Sequence, residues 1–138
     1  MFAGSDRDQE DEMGIFEDTD IISSYSREQA IEDGVLVDVS RIQRLFKFPV
    51  ALTRAVWADC VEWPESEGAH QDQTGRLHDV LWMTFCAVRR GGHTDRVDVE
   101  VLVVPRGGTR PGLVRLEAVC GPGDEGEPVI TIQYHGED

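Results

Sequence analysis

Basic residues are scarce in this chain. Thirteen Lys and Arg face 27 Asp and Glu in 138 residues, a formal net charge of −14. Only one of the bases, Lys47, is a lysine. A protein this negative is repelled by nucleic-acid phosphates and anionic lipid and is attracted to basic surfaces. Nucleic-acid binders are as a rule basic, so direct contact with DNA or RNA is not expected, and neither is contact with a membrane. Cysteine is nearly absent too. Cys60, Cys86 and Cys120 are three, with no CxxC pair, and read as buried thiols in a reducing compartment. No run approaches the roughly 18 apolar residues of a membrane helix. The acidic start is unlike a secretory or transit peptide. The expected location is the cytoplasm.

Catalytic and metal signatures are missing as well. His70, His78, His93 and His135 are scattered, and none stands with a Cys or a second His at ligand spacing. The Cys120-Gly121-Pro122-Gly123 turn has no following helix to lower a thiol pKa, and Asp124, Glu125 and Glu127 would raise it. No phosphate-binding loop and no EF-hand pattern occurs. Nothing nominates a carboxylate pair for hydrolysis. The expectation is no catalytic residue, no metal and no cofactor.

What the chain does have is a lopsided distribution of acid. Residues 1–20 hold eight acids and one base, Arg7. That composition predicts a disordered acidic tail over 1–20 and one folded domain over 21–138. Within the domain, Ser26 and Gln29 form a capping box and Gly34 a left-handed stop, which predicts a helix of about two turns. Val35–Val39 reads as a short strand. A short helix is expected over Arg41–Phe46 and another from Thr53 to Glu62. Residues 64–75 read as a loop. Leu77, Val80, Leu81, Thr84 and Val88 predict a long helix over Arg76–Arg90, widened by Trp82, Phe85 and Cys86. Three alternating segments, Val97–Val104, Val114–Cys120 and Val129–Tyr134, predict an antiparallel meander. The fold class is therefore α+β, with a three-stranded antiparallel sheet (four-stranded if Val35–Val39 joins it) packed on one face by three to four helices. Trp57, Trp63, Trp82, Phe46, Phe48 and Phe85 are expected in its core, with Trp63, beside Pro64, as the sharper candidate for a partner anchor.

Ile21-Ile22-Ser23-Ser24-Tyr25-Ser26-Arg27-Glu28-Gln29-Ala30-Ile31-Glu32-Asp33-Gly34-Val35-Leu36-Val37-Asp38-Val39, Phe48–Trp57 and Cys120–Ile132 are distinctive stretches. Over residues 17–134 the chain resembles a family of small uncharacterised bacterial proteins found on plasmids, integrative elements and phages. The resemblance brings no assigned catalytic residue. By analogy it implies an anti-defence role of anti-restriction or anti-CRISPR type, since small acidic proteins of mobile elements resemble such inhibitors in size and charge. The first expectation is accordingly a non-catalytic inhibitor, monomer or homodimer. Its partner would be a protein with a basic surface, a nuclease or CRISPR effector. Its contacts would be Glu28, Glu32 and Asp33 of the first helix, Trp63, and Asp124, Glu125 and Glu127 of the last turn. The alternative is an accessory or regulatory interaction protein of a mobile element without nucleic-acid mimicry. The third reading is a small enzyme with an unrecognised site.

Overall fold

The computed structural model describes residues 25–91 and 94–137. The expected tail and the start of the domain at Ile21 and Ile22 lie outside the described residues, as does His93.

Ser26 caps the first helix, α1 (Arg27–Glu32), its hydroxyl accepting the Gln29 N–H at 2.9 Å. The capping box is only half made. The Gln29 side chain turns forward and donates to Asp33 at 3.0 Å. Gly34 closes the helix at φ +80°, a conformation that favours glycine. Strand β1 (Leu36–Asp38) follows. No helix forms over 41–46, where the backbone makes turns instead. Gln43 holds that loop, accepting the N–H groups of Leu45 and Phe46 and donating to the Phe46 carbonyl.

A strand absent from the sequence reading comes next. β2 (Val50–Thr53) is buried along Val50, Ala51 and Leu52. Thr53 then caps helix α2, which runs as α-helix over Arg54–Val56 and loosens into a π turn over Trp57–Val61. Pro64 explains why it goes no further, because proline has no N–H with which to continue the ladder. After a single 3-10 turn at Glu65–Glu67, the long helix α3 spans Gln73–Arg90. It begins three residues earlier than its apolar stripe suggests, because Asp72 caps it by accepting the Gly75 N–H at 2.7 Å.

The meander forms as expected from β3 (Arg96–Val103), β4 (Gly112–Pro122) and β5 (Pro128–Tyr134). The full sheet has five strands in the order β1-β2-β5-β4-β3. It is mixed, since β2 runs parallel to β5 with Val50 opposite Ile130 and Leu52 opposite Ile132. The expected three or four antiparallel strands are thus corrected to five with one parallel pair.

Helices cover both faces, not one. α2 and α3 bury one face through Val56, Cys60, Val61, Leu77, Val80 and Leu81, packed on Val99, Val101, Leu116, Ala118, Ile130 and Ile132. α1 lies on the other. Its Arg27 reaches Thr131, whose side chain alternates away from core residues Ile130 and Ile132. Of the aromatics expected in the core, Trp63 is buried but Phe48 and Trp82 are each 45 % exposed. Trp82 instead stacks on Phe85 and His78 along the outer side of α3.

Candidate functional site

The acids singled out in the sequence lie nearly a hundred residues apart, and the fold joins them. A helix leaves its first N–H groups without partners inside the helix. In α1, Ser26 serves Gln29, while Asp124 of the β4–β5 turn accepts the Arg27 N–H at 2.7 Å and the Glu28 N–H at 3.0 Å. These two backbone donors, Arg27 first, hold the Asp124 carboxyl below the usual carboxylate range. The guanidinium of Arg27 runs beneath the helix and donates to the Thr131 hydroxyl at 2.7 Å and the Ile130 carbonyl at 2.9 Å. Burial lowers its pKa, while the charges of Asp38, Asp124 and Glu127 oppose that shift.

The result is a shallow acidic depression between α1, β1 and the last turn. Its wall includes Arg27, Glu28, Glu32, Asp38, Asp124 and Glu127. With Glu125 in the turn, and Asp33 at the end of α1 lining the neighbouring depression beside Gly34 and Val35, seven acids and one base stand on α1, β1 and the last turn. They carry −6, which equals the net charge of the described residues, where 18 acids face 12 bases. The remaining described residues, 11 acids and 11 bases, sum to zero.

These carboxylates are not equivalent. Asp33 accepts from the Tyr25 hydroxyl and from Gln29, Asp38 accepts from Ser40, and Glu127 accepts the Glu125 N–H at 3.0 Å. With Asp124, they hold local structure as well as charge. Glu28 and Glu32 are exposed and, among the described residues, receive no side-chain hydrogen bond or ion pair, and they stand one helical turn apart. Trp63 does not join the group. It is 7 % exposed, donates its indole N–H to the Gly68 carbonyl at 2.9 Å and packs against Arg76.

Arg76 is a residue the sequence reading passed over as the start of a helix. It is 4 % exposed and donates to the carbonyls of Val61 (3.0 Å), Asp59 (3.0 Å) and Val104 (2.6 Å) and to Gln71 (3.3 Å). Two of those carbonyls belong to the π turn. A lone Arg in an apolar stripe was the available signal. Its partners, three backbone carbonyls and Gln71 Oε1, leave no trace in sequence.

Of the three thiols expected to be buried, only Cys60 is; Cys86 and Cys120 are partly exposed. Burial pushes Cys60 up to about 11, and desolvation also raises Cys120. Tyr134 beside Cys60 is raised as well, first by burial and then by donating to Asp59 at 2.6 Å. None of these groups is poised as a nucleophile or base near neutral pH.

No helix among the described residues is long and apolar enough to cross a membrane. No curated protein and no solved structure matches the chain. A match does extend over residues 13–138, so eight residues of the expected tail fall inside the conserved unit: it is to the family described as "Family of unknown function (DUF6573)", and the chain belongs to that family.

Proposed function

We propose that this protein is a non-catalytic binding protein whose α1 face docks on the basic nucleic-acid-binding surface of a host nuclease or CRISPR effector and blocks it. The family's carriage on plasmids, integrative elements and phages is part of the same proposal. One observation carries the reading. Long-range hydrogen bonds from Asp124 to the start of α1 hold the acids of that helix beside those of the last turn. The backbone of α1, fixed at its start by Asp124, needs no ordering on contact, which favours affinity.

Within the proposal, Glu28 and Glu32 make the contacts, and Asp124 places them by anchoring the helix that bears them. A transformation assay in hosts with active restriction or CRISPR interference tests it. The chain should raise recovery of targeted plasmid, and Glu28→Arg with Glu32→Arg should remove that effect while the protein stays folded. Protection that survives the double reversal would refute the role of this face. No protection in any such host would refute the inhibitor reading.

A second reading, the accessory interaction protein, draws on a different observation. Trp82 (45 % exposed), Leu102 (62 %) and Leu113 (59 %) surround the free edge of β3. A partner held there would dissociate with Trp82→Ala and would be indifferent to salt.

A further inference from the structure

Strand register brings together three side chains that are remote in sequence. Asp98 and Glu117 are cross-strand partners in the β3–β4 pair, and Glu117 is opposite Gln133 in the β4–β5 pair. His135 follows directly after β5, with its N–H bonded to the Arg115 carbonyl at 3.1 Å. On the sheet face opposite α3, the imidazole Nδ1 sits 3.2 Å from Asp98 Oδ1 and 3.8 Å from Glu117 Oε1. One ligand atom from each of the three lies within 4.8 Å of the others.

Glu117 makes this more than a surface ion pair. It is 5 % exposed, and both its donors use one oxygen. Arg96 at 2.6 Å and Gln133 at 2.7 Å bind Oε2. Oε1 has no donor at hydrogen-bonding distance among the described residues and faces His135 and Asp98. A buried acceptor left unmet is costly, and two carboxylates opposite one another on neighbouring strands repel. Arg96 compensates one charge from behind. A cation in front would compensate the other and satisfy Oε1.

We propose that Asp98, Glu117 and His135 bind one divalent transition-metal ion of the zinc type. One imidazole nitrogen and two carboxylate oxygens are a donor set that zinc accepts. Tetrahedral bonds of about 2.0–2.2 Å place ligand atoms roughly 3.3–3.6 Å apart; His135 Nδ1 stands 3.2 and 3.8 Å from the two carboxylates, and the side chains of His135 and Asp98 are exposed and free to adjust. The ion takes the Nδ1 lone pair of the neutral imidazole, whose single proton is then carried on Nε2. Three protein ligands leave one position for water or for a donor from another molecule. Residues 98, 117 and 135 have no ligand-motif spacing, so only strand pairing reveals the set.

The test is titration of the full chain with Zn²⁺, followed by imidazole nitrogen NMR, with bound metal measured after equilibrium dialysis. One equivalent should bind, shifting the His135 resonances and leaving those of His70 and His78 in place. Asp98→Asn and His135→Gln, both at exposed positions, should each weaken binding by about 10–100-fold or more. Zinc that binds the His135→Gln chain as tightly as the natural one, for instance through cysteine, would overturn the proposal. So would binding that leaves the His135 resonances unmoved, or no binding.

Discussion

Replacing Arg76 by methionine keeps most of the side-chain stem and removes the guanidinium. Three carbonyls, of Asp59, Val61 and Val104, then lose a donor. Each buried acceptor left unmet costs about 1–3 kcal/mol, a gross loss of roughly 3–9 kcal/mol. Two terms reduce it. A buried cation no longer has to be desolvated, and water can reach the rim of the site beside Gln71. We expect a net loss of about 3 kcal/mol, close to the lower bound of that range. At about 4 °C per kcal/mol for a chain of this size, Tm should fall by about 12 °C. Urea denaturation followed by tryptophan emission and circular dichroism measures it, and Trp63, against the guanidinium, reports the site directly. Arg76→Lys should fall between the two, because one ammonium cannot serve three carbonyls on different elements. A loss below about 0.5 kcal/mol for the methionine variant, the size of an ordinary surface substitution, would refute the view that Arg76 clamps the π turn.

Asp124→Asn should release the start of α1, seen as faster hydrogen exchange at Arg27 and Glu28. Because the folded Asp124 pKa is lowered, its contribution is present above the usual carboxylate pKa and is lost as pH falls through the lowered value. The variant should therefore show a shallower acid limb in stability against pH, and an unchanged limb would count against the cap. Leu52→Ala, in the fully buried β2, should cost about 2–5 kcal/mol in urea denaturation; under 1 kcal/mol would place that strand outside the core. Cys60, buried with its thiol raised to about 11, should resist alkylation at neutral pH until the protein unfolds, while the partly exposed Cys86 and Cys120 react first. Mass spectrometry of labelled peptides decides the order.

Local patterns carried much of the fold. Val97, Val99, Val101 and Val103 alternate with Asp98, Glu100 and Leu102, and β3 is buried at every second residue as that pattern requires. Ser26 and Gly34 bracket α1 in sequence and in space. β2 could not be read in the same way. Val50, Ala51 and Leu52 are all buried, so the period-two signal is lost, and the parallel partner of the strand lies far away in sequence. Trp82 misled for a related reason, since an aromatic beside an apolar stripe packs equally well along the outside of a helix. At the candidate site the charged residues were visible, but their division of labour was not. Nothing near Asp124 announces that it caps a helix beginning 97 residues earlier.

The parallel pairing of β2 with β5 has a consequence for how the chain is made. Val50 and Ile130 are 80 residues apart, and closing so long a loop carries an entropic cost that only the finished sheet repays. On a ribosome, β1 and β2 emerge first and must wait for the last strand. Until Pro128–Tyr134 is released, the first half of the domain has an open edge and α1 has no Asp124 turn to hold it. We predict that assembly runs from the C-terminal meander inward, so that nascent chains stalled before residue 128 stay protease-sensitive throughout residues 25–53. Protection of that segment on such stalled chains would show that β1 and β2 fold without their partner.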